Sequence, residues 1–192
     1  MNWLVFFIFA YVMLVLDLGL DVLLAINGIS PSFTLILGVF VVSYMPMSLI
    51  TWAFLLLGLF QDLTFVHQSP GWEDMPLIGP HCLGYLAGGL VGAQFRGQLL
   101  RDSLVAMVVM TFVVGIFVEL VMVGLLVVRG LPVVPVEPVI QDGAAHELVR
   151  RFLALVYTSV LALPVGYLLI KSVPLWRFAM SKGGLGRTLR GG

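Results

Sequence analysis

The sequence predicts an all-α integral membrane protein of six transmembrane helices. Two observations carry that prediction. Of 192 residues, 60% are hydrophobic and only 10% charged, against about 45–50% and about 25% in a soluble domain. The charges are also gathered into patches. No Asp, Glu, Lys or Arg occurs in the 40 residues between Asp21 and Asp62, in the 21 from Met75 to Phe95, or in the 19 from Phe152 to Ile170. A helix of roughly 18–20 apolar residues crosses a ~30 Å hydrocarbon core.

Breakers and charges then mark the elements. The first span covers about 3–26, up to Asn27-Gly28-Ile29-Ser30-Pro31. No basic residue precedes it and no Ala-x-Ala follows it, so it reads as a retained helix and not as a signal peptide. Residues 31–63 as one helix would run roughly 50 Å, too long for the core. Pro46 lacks an N–H and breaks the stretch into spans at 31–44 and 47–63. A fourth span opens at Pro80 and reaches 95, because proline suits the first turn of a helix. The fifth spans 104–128 and the sixth 152–173, with a kink expected at Pro164. Residues 1–176 thus form one domain, and the glycine-rich basic segment 177–192 reads as a disordered tail.

Basic residues orient the bundle. Arg96 and Arg101 lie between spans four and five, and Lys171, Arg177, Lys182, Arg187 and Arg190 lie at or beyond the end of span six. An even number of crossings separates these two groups. The positive-inside rule places both in the cytoplasm, and with them both termini. Residues 64–79, with His67, Trp72, Glu73 and Asp74, and 129–147, with three prolines in extended chain, become extracytoplasmic loops. Trp3, Trp52, Trp72 and Trp176 read as anchors in the aromatic belts.

Several chemistries are excluded or unsupported. Zero net charge argues against nucleic acid as a partner. One cysteine, Cys82, allows no intrachain disulfide and no cysteine metal cluster. His146-Glu147-Leu148-Val149 opens like a zincin helix, but Arg150 stands where the second histidine belongs. Nucleophile elbow, P-loop and dinucleotide fingerprint are all missing. The chain reads as non-enzymatic, with no metal and no cofactor.

Polar residues inside the spans need a reason, since a carboxylate costs about 2.5–3.5 kcal/mol at a helix centre. Asp17 lies 14 residues past Trp3, roughly 21 Å along its helix, and Asp21 roughly 27 Å. Glu119 lies 15 residues past Leu104, roughly 22 Å along. Asp62 ends an outward-running helix. All four gather toward the extracytoplasmic half, where Arg150 and Arg151 begin the sixth span as counter-charges. They form either a polar outer cavity or docking site, or a set of ion pairs that fixes helix packing. Gly84, Gly88 and Gly92 recur at four-residue spacing, which lets a neighbouring helix approach closely in lipid. That neighbour is either in this chain or in a partner.

Leu57-Gly58-Leu59-Phe60-Gln61-Asp62, a polar loop, Pro76-Leu77-Ile78-Gly79 and Leu83-Gly84-Tyr85-Leu86-Ala87-Gly88 together resemble the central signature of the MreD family, bacterial rod shape-determining membrane proteins. The specific part spans about residues 55–90, and beyond it the likeness is in hydropathy and length. The resemblance implies a fold similar to the six-helix substrate-binding subunits of energy-coupling factor vitamin transporters. It also implies a non-enzymatic scaffold of the cell-elongation complex in the bacterial inner membrane. Its expected partners are the single-span protein MreC, the glycosyltransferase RodA with its transpeptidase, and cytoplasmic MreB filaments. Of the acidic residues, only Asp62 belongs to the matched pattern. Here the 64–79 loop is longer than in the family, and Asp17 and Asp21 match no part of it. A small-molecule-binding transporter subunit of the same fold is the competing expectation.

Overall fold

A computed structural model describes residues 2–26, 29–64, 79–97, 103–129 and 144–176. These form six helices: α1 Trp3–Leu24, α2 Phe33–Tyr44, α3 Met47–Thr64, α4 Pro80–Phe95, α5 Leu104–Arg129 and α6 Ala144–Trp176. Among them α1, α3, α5 and α6 are long and apolar enough to cross a membrane. Most of the two expected loops, with His67, Trp72, Glu73 and Asp74, and the 177–192 tail lie outside the described residues.

The α2 helix is the centre of the molecule. It has 12 residues, roughly 18 Å, so the helix alone covers only part of a ~30 Å core. Every residue from Phe33 to Val42 is buried. A helix apolar on all sides belongs in an interior, and α2 packs against each of the other five. It starts at Phe33 rather than Pro31 because Ser32 caps it, its Oγ accepting from Leu35 N–H at 3.3 Å. Outside this centre the apolar side chains of Leu4, Ile8, Tyr11, Leu120 and Leu168 are exposed, as a lipid-facing surface requires.

Successive helices run in opposite directions. At one end Asn2 N–H donates to Trp176 C=O at 3.1 Å, joining the start of α1 to the end of α6. The Arg96 guanidinium, at the end of α4, donates there to the carbonyls of Val42 (3.3 Å) and Met45, the C-terminus of α2. Sequence placed Arg96 simply among the basic residues that orient the chain. In the fold it also satisfies carbonyls that a helix end leaves without partners and sets a cation against the negative pole of α2.

Other boundaries also differ from expectation. The α1 helix stops at Leu24 instead of 26, because Ile26 and Ile29 exchange backbone hydrogen bonds of 3.0 Å. The sixth helix begins at Ala144, eight residues before the expected Phe152, and ends at Trp176. Arg150 and Arg151 were read as its start, yet a charged pair does not end a helix. Residues 144–147, expected as extended loop, are therefore helical. Pro164 lies within this continuous helix and does not end it. Trp176, expected in an interfacial belt, is fully buried. Its ring lies 4.9 Å from Phe9 and 5.1 Å from Phe40, and its indole N–H donates to Ser172 Oγ.

Glycines set the helix spacing. A Cβ at Gly84 would lie 2.9 Å from Val118 O, and one at Gly88 would lie 2.5 Å from Val118 Cγ2. At Gly92 it would lie 2.9 Å from Val114 Cγ2. The groove of α4 is thus filled by α5 of the same chain. Gly58 brings α3 closer still to α4, where a Cβ would meet the Cys82 main chain at 2.6 Å.

Candidate functional site

Polar residues converge at the end of the bundle where α1, α3 and α5 finish and α2, α4 and α6 begin. Two aspartates organise it, each holding the N-terminus of another helix. Four first-turn N–H groups of a helix have no internal acceptor, and the dipole there favours an anion.

Asp17, buried in α1, accepts from Phe33 N–H at 2.5 Å, Thr34 N–H at 3.1 Å and the Thr34 hydroxyl at 2.5 Å. The Gln61 amide adds a fourth bond at 3.0 Å. A carboxylate offers about four acceptor positions, so those of Asp17 are filled. With Arg96 at the other end, the buried α2 carries an anion at its positive pole and a cation at its negative pole.

Asp62 does the same for α4. The residue before that helix is Gly79, at φ +136°, a backbone region that suits glycine. It has no side chain to cap with, and Pro80 has no N–H to satisfy. The remaining first-turn donors go to Asp62. It accepts from Gly79 N–H at 2.8 Å, His81 N–H at 3.0 Å and Cys82 N–H at 3.1 Å. His81 Nδ1 lies 2.8 Å from the same carboxylate. Gly58, one turn earlier on α3, makes the approach short enough for these bonds.

The expected counter-charges pair differently from the sequence reading. Arg151 donates to Glu119 at 2.9 Å, linking α6 to α5. Asp17 uses backbone amides in place of an arginine.

Asp17, Glu119, Arg150 and Arg151 line one cavity of about 310 Å³. Gln61, His81, Tyr85, Ser30 and Ser32 share its wall, and sequence reasoning had not chosen these five as site residues. Gln61 and His81 carried a weak signal, as neighbours of Asp62 and of the Pro80 helix start. Asp62 is not in the wall but braces it through His81. The side chain of Asp21 lies outside what is described, on the last turn of α1. Gly84, Gly88 and Gly92 lie on the seam with α5 and do not line the cavity. Among the described residues no buried side-chain polar atom lacks a hydrogen bond, as a medium without water demands.

No known protein family, curated protein or solved structure matches this chain.

Proposed function

We propose that this chain is a non-enzymatic scaffold subunit of a bacterial cell-elongation complex, an MreD-like protein of the cytoplasmic membrane. In this reading it crosses six times with both termini in the cytoplasm, and its fold is similar to the substrate-binding subunits of energy-coupling factor transporters. It binds an MreC-like single-span protein and supports peptidoglycan synthesis by RodA and its transpeptidase. The observation that carries the reading is the bracing of α4 by Asp62, within the segment that resembles the family signature. The acidic residue of that signature serves architecture, holding two helices in a fixed relation. Asp17 is committed in the same way, and rigid presentation of surfaces is what a scaffold needs.

Affinity purification of the chain from native membranes tests this. The wild type is expected to bring down an MreC-like protein. Asp62→Ala, which leaves the first-turn amides of α4 without acceptors at about 1–3 kcal/mol each, is expected to lower that recovery severalfold. Glu73→Ala is expected to leave it at the wild-type level. Equal, wild-type recovery from both variants would remove Asp62 from the assembly.

A second reading, the substrate-binding subunit of a small-molecule transporter, draws support from the cavity. Its volume of about 310 Å³ falls at the lower end of ligand pockets. A small molecule retained through purification, with no protein partner, would favour that reading.

A further inference from the structure

Glu119 and Arg151 face two cavities. One is the polar cavity at the bundle end. The other, of about 140 Å³, lies between α5 and α6 and is otherwise lined by Ile116, Leu120, Val123, Leu148, Phe152 and Leu155. Leu120, Leu148 and Phe152 are exposed on the lipid-facing surface, so this second space is open to the bilayer. A donor-rich chamber and an apolar groove thus share one ion pair as their common wall.

Depth fits the same division. Arg151 precedes the buried Trp176 by 25 residues of α6, roughly 37 Å at 1.5 Å per residue. With the Trp176 end at one face of a ~30 Å hydrocarbon core, Arg150 and Arg151 fall at headgroup level of the other.

The polar chamber is rich in donors. Arg150 and Arg151 carry five N–H groups each, one of them given by Arg151 to Glu119 in the same wall, and the hydroxyls of Ser30, Ser32 and Tyr85 stand beside them. Its most buried acid, Asp17, has its acceptor positions filled by α2 and Gln61. An occupant with several acceptor oxygens and negative charge suits such a wall, and arginine pairs with phosphate in two-pronged fashion.

We propose that this end of the bundle binds one anionic phospholipid. Its phosphate sits at Arg150 and Arg151, and one acyl chain lies in the α5–α6 groove. A water-soluble vitamin would leave the groove unused. The proposal does not depend on membership of a cell-elongation complex.

Native mass spectrometry of the full chain in detergent tests it, with dioleoyl phosphatidylglycerol, dioleoyl phosphatidylcholine and glycerol 3-phosphate as probes. The expected result is saturable retention of one phosphatidylglycerol, with phosphatidylcholine about tenfold weaker and glycerol 3-phosphate weaker still. Arg150→Gln is expected to lower phosphatidylglycerol affinity about tenfold, as for loss of a charge-assisted hydrogen bond. Phe152→Ala, in the groove, is expected to weaken the lipid and not glycerol 3-phosphate. Glycerol 3-phosphate binding as tightly as the lipid would make the chamber a site for soluble anions and overturn the proposal. Retention that never saturates, or that ignores both variants, would reduce the arginines to ordinary contacts with bulk lipid, and absence of retention would refute the site outright.

Discussion

Asp17→Ala is expected to destabilise the isolated subunit by roughly 3–5 kcal/mol, because several buried donors lose their acceptor at about 1–3 kcal/mol each. Phe33 N–H, Thr34 N–H, the Thr34 hydroxyl and the Gln61 amide all converge on this carboxylate. The carboxylate is buried, and an unsatisfied backbone group away from water costs several kcal/mol. The helix set loose is α2, which touches every other helix, so the damage spreads. At about 2–4 °C per kcal/mol for a chain of this size, the melting temperature in detergent should fall by roughly 10 °C or more. Asp17→Asn keeps one acceptor oxygen and should fall between. A wild-type melting temperature for Asp17→Ala would mean that Ser32 alone holds the start of α2.

Gly88→Leu is expected to cost the isolated subunit roughly 3 kcal/mol, the upper range for overpacking a filled interior. A Cβ there would already lie 2.5 Å from Val118 Cγ2 and 3.1 Å from the Val114 carbonyl oxygen. The carbonyl belongs to helix backbone and cannot swing aside, so α4 and α5 must part and lose dispersion contact along their seam. A thermal melt of the detergent-purified variant, with no partner present, reads the effect. An unchanged melt together with loss of a co-purified helix would move the groove to the outside of the molecule.

Much of this architecture was legible in the sequence, and the failures share a cause. Pro46 divided α2 from α3, Pro80 opened α4, and the glycine repeat marked a face for close packing. Each is a letter with a direct backbone consequence. Asp17 was legible as a buried charge in need of a partner, and arginines were the partners visible as letters. Its real partners are the amides at the N-terminus of α2, which every sequence contains and none displays. Asp62 hid its role for the same reason, although Gly79-Pro80 signalled a helix start with no cap of its own. The start of α6 was misplaced because Arg150 and Arg151 were read as a boundary of structure. A charged pair does not end a helix, and this one continues back to Ala144. Gln61, Tyr85 and Ser32 became cavity residues through the meeting of α2, α3 and α4, a tertiary event that no spacing along the chain announces.

The placement of the polar cavity on the outer face of the membrane rests on the orientation of the bundle, and labelling of intact cells decides it. In a Cys82→Ala background, Gln68→Cys lies between α3 and α4, which meet at the cavity end, and Ser181→Cys lies beyond α6, which finishes at the opposite end. A membrane-impermeant maleimide is expected to label Gln68→Cys in intact cells and Ser181→Cys only after permeabilisation. Labelling of Ser181→Cys from outside, with Gln68→Cys protected, would invert the bundle and put the cavity in the cytoplasm.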